Sequence, residues 1–281
     1  VPMVDALAKS WNLATIHLGM ALGLPRIRSF LQSFGLTGVN PSPSLLLGAL
    51  DLSPLQVTHL YQYLAADGHA LPLVAVSGVL DGNGRTIKRY QVQPGDGEYQ
   101  SAVRLTTWAL QQVAVYGTAH SIGNSGLAWL HAAGKTGTSN DLRDSWFAGY
   151  TGEHLAVFWM GRDDNKPAGL FGSTGALRAW RELFAKLPTR PLSSAPGSGL
   201  EMAWINPASG RRTDPQCAGA QQVPVVAGSL SADVDGCAWE TVQGLFGVGQ
   251  PSTNGAPGAP AAPAAPVAPT APSNPADPYR N

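Results

Sequence analysis

The chain is 281 residues long, enough to bury a sizeable core as one large domain or two smaller ones. Its 18 basic residues balance 18 acidic ones, so no global field favours nucleic acid or anionic lipid. No apolar run reaches the roughly eighteen residues of a membrane-spanning helix. The opening VPMVDALAKS has neither the basic start nor the apolar core of a secretory signal. Without an initiator Met, the chain is expected to be a mature or internal piece of a longer one.

In chain order, VDALAKSWNLATIHLGMALG sets apolar residues at rough helical spacing, interrupted near Ser10 to Asn12. SPLQVTHLYQYLAADG predicts a cleaner helix. Ser53 is its N-cap, Pro54 takes its first position, Gln56 completes a capping box and Gly68 ends it. VAVSGVLDGNGRTIKRYQV predicts a hairpin around DGNG, and YQSAVRLTTWALQQVAVYG a helix closed by Gly117. AAGKTGTS, DSWFAGYT and LAVFWMGRD then follow as three short strands of an antiparallel meander with one buried face, and GALRAWRELFAKL as a helix. The expected class is α+β: an antiparallel sheet flanked by helices.

Residues 191–248 are rich in Gly, Pro and Ser and are expected to form a small irregular appendage. Cys217 and Cys237 within it read either as a disulfide made in an oxidising compartment or as two plain thiols. The disulfide is favoured, since such a clip could stabilise the segment by about 3 kcal/mol. Two Cys without a nearby His do not make a zinc site, so no metal is expected. From 249 to 281 prolines recur at every third position between 257 and 278. This composition suits an extended, disordered tail better than a ligand for a proline-binding groove.

Chemistry is suggested at two places. In HAAGKTGTSND, Lys135 lies between glycines and is followed by Thr136, Gly137 and Thr138, which reads either as a polar turn or as a fixed cation for an anionic group. In KSWN, Ser10 and Asn12 sit at the helix break, a hydroxyl beside an amide. Each triplet alone is weak. In the order S-x-N then K-T-G, they match two of the three elements of penicillin-interacting serine enzymes.

VDALAKSWNLATIHLGMALGLPRI, LLLGALDLSPLQVTHLYQYLAADG, WALQQVAVYGTA, AGKTGTSNDLRDSWFAGYTGEHLAVFWMGRDDNKP and GSTGALRAWRELF agree in type, order and approximate spacing with one family. Together they resemble the transpeptidase domain of class A, bifunctional penicillin-binding proteins, nearest to the penicillin-binding protein 1B group. The resemblance is good over residues 1–190 and looser beyond. It implies a serine β-lactamase/D,D-transpeptidase-like fold, incomplete on its N-terminal side. Ser10 would pass a proton, and Asn12 would hold the acyl chain of the stem peptide. Lys135 would tune the relay, while Thr136, Gly137 and Thr138 would line the substrate, the two threonine hydroxyls binding its carboxylate. The Thr138 N–H would be an oxyanion donor.

The third element, S-x-x-K, supplies the attacking serine. The five lysines are Lys9, Lys88, Lys135, Lys166 and Lys186, and three places before them stand Ala6, Arg85, Ala132, Asp163 and Leu183, so the motif does not occur in these residues. The family carries it upstream of S-x-N. The expectation is therefore a D,D-transpeptidase fragment that is silent alone, with partners in the missing N-terminal part of the same protein, the stem peptide or its lipid-linked precursor, and β-lactams. The parent would add a glycosyltransferase and a membrane anchor at the periplasmic side of the inner membrane, and would need no cofactor. The rivals are an inactive sensor of the same fold and a serine β-lactamase. Glu98, the only glutamate between Asn12 and Lys135, lacks the context of a deacylating base, which counts against the lactamase. The six histidines show no triad or ligand spacing, and Trp11 has no assigned role.

Overall fold

A computed structural model describes residues 1–237 other than 94 and 96. The expected Pro/Ala tail and residues 238–248 lie outside the described residues. The helices are α1 (Met3–Ala8), α2 (Asn12–Leu22), α3 (Leu24–Ser33), α4 (Pro54–Ala65), α5 (Gln100–Val115) and α6 (Ala176–Phe184). The strands are β1 (Gly78–Leu80), β2 (Thr86–Arg89), β3 (Ala133–Thr138), β4 (Ser145–Tyr150), β5 (Leu155–Met160), β6 (Leu200–Ile205), β7 (Arg212–Thr213), β8 (Gln221–Val226) and β9 (Val234–Asp235). The α+β class expected from the sequence is the one observed.

Local chemistry explains most of the elements. The break between α1 and α2 falls at Ser10, whose φ of 58° no helix accommodates. At α4 the Ser53 Oγ accepts from the Gln56 N–H while the Ser53 N–H donates to Gln56 Oε1 at 2.9 Å, the reciprocal box that was expected. β1 and β2 form the hairpin, and the Asp81 carboxylate closes its turn by accepting from the N–H groups of Asn83 and Arg85.

The site sits on an antiparallel sheet in the order β3-β4-β5, with Lys135 opposite Ala148 and Phe147 opposite Phe158. Among the described residues β3 and β5 are both edges. One face packs on α6, where Trp180 meets Phe147 edge-on at 5.4 Å and stacks on Phe184 at 3.9 Å, all three almost fully buried. The Trp180 Nε1–H donates to the Gly149 carbonyl at 3.2 Å, so its one polar atom is satisfied. Truncating Trp180 to Ala is expected to cost about 3–5 kcal/mol, read as a lowered denaturant midpoint with an unchanged slope. Ser145, also buried, accepts from the Ala176 N–H and donates to the Phe171 carbonyl, fastening the start of α6 to β4.

One expectation needs correction. Of the appendage expected to be irregular, residues 200–235 form a four-stranded sheet in the order β8-β6-β7-β9. Its strands of two to six residues are too short to show a clear period, and Pro224 breaks the alternation of β8. That proline is tolerated because β8 is an edge strand. Cys217 and Cys237 are joined as a disulfide, the favoured alternative. Gly117 closes α5 as expected, its N–H donating to the Gln112 carbonyl at 3.2 Å, without a positive φ. Its role is close approach, since a Cβ there would lie 2.2 Å from the Ala8 carbonyl oxygen.

Candidate active site

The Ser10 turn and β3, 125 residues apart in sequence, meet in space. Lys135 Nζ donates to Ser10 Oγ at 2.9 Å and to the Thr136 carbonyl at 3.2 Å. Burial pushes the Lys135 pKa down from 10.5 to about 8, because an ammonium loses hydration there. Ser10 itself is exposed, so the pair has one half-buried and one open member.

The turn is held at several points. The Ser10 N–H donates to Leu7, the Trp11 N–H to Ala6 at 2.8 Å, and the Thr118 N–H to Ala8 at 3.0 Å. Lys9 Nζ lies 5.2 Å from the Trp11 ring centre and 6.0 Å from that of Tyr116, whose hydroxyl donates to Asp5 at 2.9 Å. Burial and that carboxylate raise the Tyr116 pKa to about 12. Trp11, unassigned from sequence, is thus half-exposed under a lysine. Asn12 opens α2 two residues beyond Ser10 with its side chain exposed, beside a shallow depression lined by Ser10, Trp11, Leu13 and Ala14.

On β3, successive side chains alternate faces, so Lys135 points one way and Thr136 and Thr138 the other. Thr136 Oγ1 lies 2.6 Å from Thr118 Oγ1, and Thr138 Oγ1 accepts from the Gly172 N–H at 2.9 Å. The Ser139 N–H donates to the Asp144 carbonyl at 3.1 Å, which fixes the phase of the β3–β4 ladder. One residue back, the Thr138 N–H therefore points away from β4 toward the open edge. Gly137 packs close to Trp146, with 3.1 Å available to a Cβ, and so keeps that stretch low.

The structure thus brings Ser10, Lys135, Thr136 and Thr138 to one strand edge and leaves Asn12 on the adjoining helix start. Sequence reasoning missed Thr118, and it read Gly117 only as the end of α5, not as the point of close approach to Ala8. A cavity of about 280 Å³ lies elsewhere, lined by Leu64, Arg104, Trp108, Gln111, Leu192 and others, and shares no residue with this site. Its polar groups are mutually paired: Arg104 with Asp67 at 2.9 Å, Gln111 with the carbonyls of His131 and Ser193, and Tyr150 with Thr107. Among the described residues no cluster could hold a metal ion, and no helix is long and apolar enough to cross a membrane.

Comparison with known proteins identifies the domain and the fold. The penicillin binding protein transpeptidase domain matches residues 1–176. Penicillin-binding protein 1B of Escherichia coli (strain K12) is 38% identical over 198 residues, 70% of this chain and 23% of that protein. The Vibrio cholerae protein of the same name is 40% identical over 184 residues, 65% of this chain and 24% of that one. Among solved structures, penicillin-binding protein 1A from Haemophilus influenzae superimposes with a TM-score of 0.70 at 21% identity, covering 84% of this chain and 41% of that one. Penicillin-binding protein A from M. tuberculosis, in an acyl-enzyme complex, gives 0.55 at 19% identity over 66% of this chain and 48% of that one. The chain spans about a quarter of the length of the curated relatives it matches. On the matched domain, the identities and the fold together, the chain belongs to the penicillin-binding protein transpeptidase family.

Proposed function

We infer that these residues are the later part of a peptidoglycan D,D-transpeptidase, with the attacking serine on an S-x-x-K segment outside them. The observation that carries this reading is the 2.9 Å contact between half-buried Lys135 and exposed Ser10, at a strand edge from which the Thr138 N–H points outward. A positive charge beside a hydroxyl favours proton transfer through it, and an unpaired N–H at a strand edge can stabilise an oxyanion. The same free edge accepts an extended peptide as an added strand. A stem peptide ending in D-Ala-D-Ala fits that groove as acyl donor, with Asn12 on its acyl chain and Thr136 and Thr138 on its terminal carboxylate.

The reaction forms an ester to the serine and expels D-Ala, which takes the proton relayed through Ser10. An amine of a neighbouring peptide then attacks the ester, forming the cross-link and restoring the serine. β-Lactams would enter as acylating analogues of the donor. The parent protein is read as anchored at the periplasmic side of the inner membrane, with a glycosyltransferase acting on the lipid-linked precursor.

The test uses the full polypeptide carrying both segments, a donor peptide ending in D-Ala-D-Ala and an amine acceptor. D-Ala release coupled to a new amide is expected. Rapid turnover of a chromogenic cephalosporin with no amide product would establish a lactamase instead, and no reaction with either would favour a sensor. Glu98 is not placed as the base that the lactamase reading needs. The Glu98 N–H donates to the Gly68 carbonyl and the Glu98 carbonyl accepts from the Tyr63 hydroxyl, and Glu98 makes no hydrogen bond to the Ser10–Lys135 pair among the described residues.

A further inference from the structure

Lys135 and Thr136, adjacent on β3, are held by different hydroxyls, Ser10 and Thr118. The single turn Gly117–Thr118 is behind both contacts. The Thr118 N–H donates to the Ala8 carbonyl at 3.0 Å, and Gly117 lacks the Cβ that would press on that same oxygen at 2.2 Å, so the turn lies flush against the loop presenting Ser10. The Thr118 side chain reaches across to the strand, 2.6 Å from Thr136 Oγ1.

A hydroxyl has one proton and two acceptor positions, whereas a carboxylate only accepts. Within the Thr118–Thr136 pair, either oxygen can be the donor. If Thr136 donates to Thr118, it has no proton left for a carboxylate. If Thr118 donates, the Thr136 proton is free to point at one. Among the described residues the Thr136 hydroxyl has no other side-chain partner, and neither has that of Thr118.

We propose that Thr118 is a positioning residue of this site: its hydroxyl donates to Thr136 and turns the Thr136 proton toward the substrate carboxylate, while its backbone N–H registers the Ser10 turn against the strand. This rests on the acyl-transfer reading above. Thr118 is not catalytic, since it acts through Thr136 and Ala8.

The variant Thr118→Val keeps shape and backbone N–H and removes only the hydroxyl. In the full polypeptide, acylation is measured with a donor thioester ending in a carboxylate and with the same thioester ending in a carboxamide. Thr118→Val should lose about tenfold on the carboxylate donor, the scale of one hydrogen bond to a charged group. It should change less than about twofold on the carboxamide, and Thr118→Ser should recover most of the loss. The double variant Thr118→Val/Thr136→Val should be no slower than Thr136→Val alone, because the two hydroxyls act as one unit. An equal loss on both donors, no loss at all, or additive losses in the double variant would overturn the proposal. A wild-type polypeptide inert toward both thioesters would overturn the acyl-transfer reading itself, and this inference with it.

Discussion

Replacing Ser10 by alanine is expected to slow acyl transfer by the full polypeptide by about 10²- to 10⁴-fold, the range for losing a positioned proton-transfer group. Among the described residues Ser10 is the only side chain to which Lys135 Nζ donates, and it is exposed. A second substitution separates chemistry from folding. Ser10 holds a left-handed backbone with φ of 58°, which costs a side-chain-bearing residue about 1–2 kcal/mol. Ser10→Gly should therefore raise stability slightly while being as slow as Ser10→Ala. The check pairs the rate of acylation by a thioester donor with a thermal midpoint for each variant. A Ser10→Gly protein with near wild-type rate would remove Ser10 from the relay.

Lys135→Met should show opposite effects on activity and stability. Loss of the cation beside Ser10 is expected to lower acylation by about 10²- to 10³-fold, comparable to deleting one electrostatic stabiliser of an oxyanion. At the same time the variant should be more stable at pH 7. Burial lowers the folded-state pKa of Lys135 from 10.5 to about 8. Between those values the unfolded chain binds the proton more tightly than the folded one, so stability rises with pH across that window. Below about pH 8 both states are charged and the penalty of burying the ammonium is fully present. Methionine removes that penalty with little change of shape. The wild-type rate should accordingly fall above about pH 8, and ¹³C-labelled Lys135 should titrate near 8. Titration close to 10.5, with no stability gain in Lys135→Met, would contradict the account.

Much of the frame was legible because its signals are local. The Ser53–Gln56 box and the DGNG turn satisfy their own backbone bonds within a few residues, and β3, β4 and β5 pair with their neighbours in sequence across short turns. The pairing of Ser10 with Lys135 is not local. It was expected through a family resemblance, not from spacing, and the structure brings the two side chains together. What was illegible depends on tertiary approach. Gly117 resembles a helix cap, and only the Ala8 carbonyl packed against it reveals why it has no side chain. Thr118 carries no motif, and its meaning lies in an oxygen 18 residues away. α3 was not predicted, although Pro25 suits its first turn, because Gly23 with φ of 90° allows the chain to restart directly after α2. The small sheet of β6 to β9 escaped because its strands are too short to carry a period.

Labelling with a fluorescent penicillin tests the central claim most directly. The 281 residues supply Ser10, Lys135 and Thr138 but no S-x-x-K. The full polypeptide should therefore label covalently, with the adduct on an S-x-x-K serine outside these residues, while the 281-residue chain alone should not label. Adduct on a residue of the isolated chain would contradict the account, as would a full polypeptide that stays unlabelled.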